Sequence, residues 1–182
     1  DAINSTSKPI KEDSLWKIKD NVAEFQNRVA AHRSNTIFKT IQAKKLGIKN
    51  FEVDLLFENG ELMVGYDRKV MAGMSFDEYL AELRTGMDFL WLDIKNLDSE
   101  NEEEIVKRLL EADKKYQIKS IALVESSHPE ALVVLGKQGW KTSYYLNTKK
   151  IISDNKKKLE EYANQVIEEV KKRPAIYTAY SC

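Results

Sequence analysis

The chain alternates between two hydrophobic periods, and that alternation predicts its elements. Residues 1–13 are polar, carry Pro9 and show no period, so they read as an extended arm. Leu15, Ile18, Val22 and Phe25, with Trp16 beside them, recur at helical spacing over Ser14 to Gln26. A strand follows from Arg28 to His32. Ser34 or Asn35 is placed to cap a helix through about Leu46 that carries Ile37, Phe38 and Ile41 on its apolar side, and Gly47 ends it. Phe51 to Phe57, FEVDLLF, switches to period two. Glu58-Asn59-Gly60-Glu61 is a tight turn into a short strand, Leu62 to Tyr66.

Capping-box spellings at Ser75 with Glu78, Ser99 with Glu102 and Ser127 with Glu130 open three helices, the first to about Arg84, the second to Tyr116, the third closed by Gly139. Strands Phe89 to Lys95, Ser120 to Ser126 and Lys141 to Asn147 alternate with them. A long helix, Ser153 to Arg173, has Leu159, Tyr162, Val166, Ile167 and Val170 on its apolar side, and Ala175 to Ser181 is a final strand. Six strands alternating with helices predict an α/β fold with parallel strands in sequential order and helices outside. That is three quarters of a (β/α)8 TIM barrel. Such barrels take about 250 residues, so either two further strands lie outside these 182 residues or the sheet is open. The Asn59-Gly60 hairpin is the only antiparallel feature expected.

The strand faces carry the chemistry. Phe51, Val53, Leu55 and Phe57 point one way, and Glu52, Asp54 and Leu56 the other. Strands of a parallel sheet are covered on both faces, so two carboxylates there require a metal or a Lys/Arg partner. In FLWLDIK, Phe89, Trp91, Asp93 and Lys95 share a face, and the first strand ends in His32-Arg33. Three successive strands therefore deliver ionisable groups at their carboxyl ends, the edge where such sheets bind ligands. Glu125, at another strand end, reads as an extra ligand or a pocket acid, and of Tyr144 and Tyr145 one faces the pocket and one the helices.

Composition narrows the partners. Lys plus Arg and Asp plus Glu are both 29, so no global field draws nucleic acid or an anionic membrane. The single cysteine, Cys182, makes no internal disulfide, and no apolar run approaches the roughly 20 residues of a membrane helix. The start at Asp1 without Met fits removal of a leader, hence a secreted or cell-envelope protein, or a start inside a longer gene.

His32-Arg33-Ser34-Asn35, Glu52-Val53-Asp54, Gly60 with Val64-Gly65-Tyr66-Asp67, and Asp93-Ile94-Lys95, in this order, resemble the motifs of the glycerophosphodiester phosphodiesterase-like (PLC-like) superfamily. Ser126-Ser127-His128-Pro129-Glu130-Ala131-Leu132 resembles its S-F-x-P-E-A-L, with Ser127 in place of the aromatic. The H-x-x-N and D-x-K spellings are closer to the sphingomyelinase D and menorin branches than to the glycerophosphodiesterases, which spell these H-R-G and E-I-K. The similarity spans residues 28–147.

The resemblance implies a distorted TIM barrel, residues 14–182, that cleaves a glycerophosphodiester or phospholipid headgroup diester with one divalent cation, by hydrolysis or by transfer to a cyclic phosphate. Glu52, Asp54 and Asp93 would hold Mg²⁺ or Ca²⁺, hard cations suited to oxygen ligands. His32 would be nucleophile or base, Arg33 and Lys95 would neutralise phosphate oxygens, and Asn35, Tyr66, Glu125 and Tyr145 would be secondary or substrate-facing. One position departs from the pattern. The superfamily's second histidine falls at Tyr66, before Asp67, and a phenol with a reference pKa of about 10 matches neutral-pH proton transfer less well than imidazole. A barrel that binds a phosphate-containing ligand without turnover is therefore the alternative. A bland reading of the carboxylates is an ion pair with Lys95 or Arg33. His128 reads as an ordinary exposed helix position, and the Lys149-Lys150 and Lys156-Lys157-Lys158 runs as solvated surface.

Overall fold

A computed structural model describes residues 29–146, 156–172 and 176–180. The arm and the helix expected over residues 1–26 lie outside the described residues. The elements in chain order are α1 (Ile37–Lys45), β1 (Asn50–Glu58), β2 (Glu61–Gly65), β3 (Met71–Ser75), α2 (Phe76–Leu83), β4 (Phe89–Ile94), α3 (Glu102–Tyr116), β5 (Ala122–Ser126), α4 (Pro129–Lys137), β6 (Lys141–Leu146), α5 (Lys156–Lys172) and β7 (Ile176–Tyr180). The strands form one sheet ordered β3-β2-β1-β4-β5-β6-β7.

From β1 through β7 the pairs β1–β4, β4–β5, β5–β6 and β6–β7 are all parallel, as βαβ connections require. The first expected strand survives as a single parallel bridge between Ala31 and Phe51, which puts it on the other side of β1. Six parallel segments in sequential order with helical connections are the barrel-type α/β arrangement anticipated from the period alternation. One face of the parallel strands builds the helix-covered layer. Phe51, Val53 and Leu55 of β1, Leu90, Leu92 and Ile94 of β4, and Ala122 and Val124 of β5 are buried with Leu80 and Leu83 of α2, Ile105 and Leu109 of α3, and Leu132 and Leu135 of α4.

The hairpin is larger than expected. β2 pairs antiparallel with β1, and β3, which has no apolar alternation to announce it, pairs antiparallel with β2. Gly65 permits this second turn, because a Cβ there would lie 2.8 Å from the Met71 Cα. Arg108 of α3 ties the hairpin tip down, its Nε donating to the Gly60 carbonyl at 2.6 Å.

Three helix starts differ from the spelling. The cap of α1 is Thr36, whose hydroxyl accepts from the Lys39 N–H, while Ser34 and Asn35 are engaged elsewhere. The face of α1 turned inward carries Thr40 and Ala43, so Phe38 and Ile41 are exposed rather than core. Thr40 tolerates burial because its hydroxyl meets the Ser34 and Thr36 carbonyls and the Tyr79 hydroxyl. Asn101, not Ser99, precedes α3, held by reciprocal bonds with Asp98. His128, not Ser127, precedes α4, because Pro129 takes its first turn and Ser126 Oγ accepts the His128 N–H. The Ser75–Glu78 capping box forms as expected.

Candidate active site

The pleat and the register together assemble the site. Asp54 of β1, Asp93 of β4, Glu125 of β5 and Ser143 of β6 are successive register partners, so four polar residues form one rank across the sheet. Glu52 sits one layer below Asp54 on the same face. One oxygen from each of Glu52, Asp54 and Asp93 falls within 4.8 Å of the other two.

The edge of β1 explains how the first motif reaches this cluster. Its first half bonds to residues 31–34, through Ala31 N–H to the Asn50 carbonyl, Glu52 N–H to the Ala31 carbonyl and Ser34 N–H to the Glu52 carbonyl. From Leu55 onward the same edge bonds to β2. At the gap between them Asn35 substitutes for backbone, its Oδ1 accepting the Asp54 N–H at 2.9 Å while its Nδ2 donates to Asp54 Oδ2 at 2.6 Å. Arg33 takes a left-handed backbone, φ 51°, which turns its N–H onto Glu52 Oε2.

Cations answer the acids. Lys95 Nζ stands 2.6 Å from Asp54 Oδ1 and also donates to Asp93. Arg33 Nε lies 3.9 Å from Asp54 Oδ2. Both cations rest on the face of Tyr66, Arg33 at 4.4 Å and Lys95 at 4.8 Å from the ring centroid. Burial alone would pull Lys95 down, but its bonds to Asp54 and Asp93 carry its pKa above the ordinary value. Burial raises Asp93, against the pull of Lys95. Burial, with Asp54 and Asp93 adding repulsion, pushes Glu52 up to about 7, and burial does the same to Glu125.

Glu52, Asp54, Asp93 and Glu125 lie on the strands expected to carry them and Lys95 directly follows β4, while Arg33, Asn35 and Tyr66 reach the cluster from the turns and loops beside β1. His32 lies in the turn beyond Ala31, its side chain 75% exposed, with Nε2 3.7 Å from Glu52 Oε2. It therefore borders the cluster from solvent instead of being held within an interior strand. Tyr145 follows Ser143 by two residues and so shares its face, whereas Tyr144 packs on the core. His128 is exposed in front of α4. Ser143 was not anticipated; its two-residue spacing from Tyr145 was the available signal. The cation shelf formed by Tyr66 was equally invisible, because it depends on where two distant side chains meet.

The acid cluster suits a hard divalent cation. Three carboxylates supply oxygen donors only, and Glu52 Oε1 is buried without a hydrogen-bond partner, an arrangement a bound cation would satisfy.

No protein-family model and no curated protein sequence matches the chain. Solved structures do. A phosphodiesterase from Oleispira antarctica in complex with the product sn-glycerol-3-phosphate is similar at TM-score 0.56 and 16% identity, covering 84% of this chain and 83% of its own. A glycerophosphodiester phosphodiesterase from Parabacteroides distasonis is similar at TM-score 0.54 and 14% identity, covering 82% and 77%. The chain thus has the fold seen in glycerophosphodiester phosphodiesterase structures. No helix among the described residues is long and apolar enough to cross a membrane.

Proposed function

We propose that this protein is a metal-assisted phosphodiesterase acting on a glycerophosphodiester or phospholipid headgroup diester. The observation that carries the reading is the meeting of Glu52, Asp54 and Asp93 within 4.8 Å at the carboxyl edge of the sheet, with Lys95, Arg33 and His32 around them. The fold shared with phosphodiesterases supports it. Glu52, Asp54 and Asp93 would hold the cation, Mg²⁺ or Ca²⁺. When bound, it supplies Lewis-acid charge to a phosphate oxygen.

The chain's own residues do the rest. Lys95 and Arg33 set two positive charges beside the position of the phosphate, where charge grows in the transition state. Asn35 fixes the Asp54 carboxylate in one orientation. His32, exposed and 3.7 Å from Glu52, is the group that takes a proton or attacks phosphorus. Tyr66 serves through its ring face, on which Arg33 and Lys95 rest, and not through its hydroxyl.

The test is turnover of bis(p-nitrophenyl) phosphate. Activity should vanish in EDTA, return with Mg²⁺ or Ca²⁺, and fall sharply in Asp54→Asn. Turnover indifferent to EDTA and to that substitution would refute the proposal.

A further inference from the structure

β4 ends at Ile94, opposite Leu55, while β1 runs on to Glu58. Lys95 stands one residue past that last pair, and its N–H still donates to the Leu55 carbonyl at 2.9 Å. The Phe57 N–H and carbonyl lie beyond this rung, and half-buried backbone groups need partners. Asn96 supplies both from its side chain. Its Oδ1 accepts the Phe57 N–H at 2.8 Å, and its Nδ2 donates to the Phe57 carbonyl at 2.8 Å. The Asn96 carbonyl in turn accepts from Nδ2 of Asn101, the residue before α3, at 2.6 Å. The chain is therefore pinned on both sides of Lys95, although it has already left the sheet.

From this arrangement we propose that Asn96 is a positioning residue of the site, holding Lys95 where its ammonium reaches Asp54 and Asp93 together. The inference rests on the phosphodiesterase reading, in which Lys95 meets a phosphate oxygen, and deepens it. Side chains keep to one face only while the backbone stays extended. Lys95 shares the face of Asp93 as long as residue 95 follows the direction of β4, and the turn through residues 96–101 is what pulls it away. A primary amide suits the task because it donates and accepts in one plane, as a peptide group does. An aspartate could only accept and would set its second oxygen against the Phe57 carbonyl. Asn35 works in the same way on the opposite edge of β1, where it holds the Asp54 N–H. Two asparagine amides thus fix the acid and its counter-cation from either side of one strand. A turn staple without bearing on Lys95 would cost stability when removed and nothing else.

NMR of the lysine ammonium groups in the full chain, made with isotope-labelled lysine, separates the two. An ammonium held in hydrogen bonds keeps its protons long enough to give a correlation, and a freely solvated one does not. The metal-free wild type should show a correlation that is missing from Lys95→Met. Asn96→Ala and Asn96→Asp should each abolish or shift it, whereas Leu132→Val, which loosens the core under α4, should leave it in place. With Mg²⁺ present, Asn96→Ala should lower kcat for bis(p-nitrophenyl) phosphate by about 10²-fold, the cost of a misplaced group, while Mg²⁺ affinity stays at or above that of the wild type. Asn101→Ala keeps the Asn96 amide and frees only its carbonyl, so it should weaken the correlation less, and it replaces Asn96→Ala if that variant does not fold. A wild type without a Lys95 correlation, or an unchanged correlation in Asn96→Ala (or in Asn101→Ala where it stands in), overturns the proposal. A wild type without turnover whose correlation behaves as expected removes the phosphodiesterase reading and leaves Asn96 as the residue that sets Lys95.

Discussion

Replacing Lys95 by Met is the most revealing perturbation of the acid cluster. Lys95 Nζ stands 2.6 Å from Asp54 Oδ1 and is bonded to Asp93, with its side chain 23% exposed and Asp54 wholly buried. Removing one partner of a buried pair costs about 3–5 kcal/mol. Two features lower the figure here: Arg33 remains near Asp54, and Glu52, with its pKa already about 7, can take up a proton. A loss of about 2–4 kcal/mol at pH 8 remains, or a Tm lower by roughly 5–15 °C in a chain of this size. The loss should shrink toward pH 6, because protonating acids whose charge is no longer balanced relieves the repulsion. Mg²⁺ should raise the Tm of Lys95→Met more than that of the wild type, since binding stabilises by RT ln(1 + [L]/Kd) and the variant's acids have no resident ammonium. Thermal melts at pH 6 and pH 8, with EDTA or with millimolar Mg²⁺, read all of this. A variant as stable as wild type at pH 8 in EDTA, or an equal Mg²⁺ effect on both, would sink the idea that Lys95 balances the cluster.

Glu52 and Glu125 have folded pKa values raised from 4.5 to about 7. Across that interval the folded chain holds protons the unfolded chain has released, so each group's contribution is complete below about pH 4.5 and disappears as pH rises through 7. Glu125→Gln should remove about 3 kcal/mol of that decline, and urea titrations of wild type and variant from pH 5 to 8 check it. His32→Ala should cost at least about 10²-fold in phosphodiester turnover, whereas Tyr66→Phe, which keeps the ring beneath both cations, should cost less; steady-state kinetics that reverse this order would assign the proton transfer to the phenol. Asn35→Ala leaves the Asp54 N–H without its partner and should lower stability by about 1–3 kcal/mol, and chemical denaturation that finds no loss would remove Asn35 as a structural clamp. Gly65→Ala should also destabilise, by driving a methyl into the β3 backbone, and unfolding curves matching wild type would show that the hairpin yields.

The strands and their inward acids were legible because period two is a local property: FEVDLLF and FLWLDIK each state which residues share a face, and the register needed only parallel pairing to align Asp54 with Asp93. The outer face of α1 was misread in part: Ile37 packs against the core as expected, but Phe38 and Ile41 are exposed, and the packing chose Thr40 and Ala43 beside Ile37. A threonine enters a core when distant groups, here Tyr79 and the Ser34 carbonyl, satisfy its hydroxyl, and no window of sequence contains both. β3 went unseen because MAGMS has no alternation and owes its strand to β2. Of the site, the acids and cations could be read as types at strand ends; the Asn35 clamp on Asp54 and the Tyr66 shelf could not, since each joins segments 19 or more residues apart.

β1 is bordered along one edge by two unrelated neighbours, the residue 31–34 segment below and the β2–β3 hairpin above, with the Asn35 amide standing at the join. Such a seam uncouples two design problems. The lower part must keep its alignment to hold Asp54 against Asp93, so it admits almost no change in length. The hairpin hangs from the upper part and is tethered at its tip by Arg108, so residues can be inserted or removed at its turn without sliding the acids past one another. Variation in the length of the hairpin turn therefore leaves Asp54 aligned with Asp93, so long as Tyr66 keeps its place beneath Arg33 and Lys95.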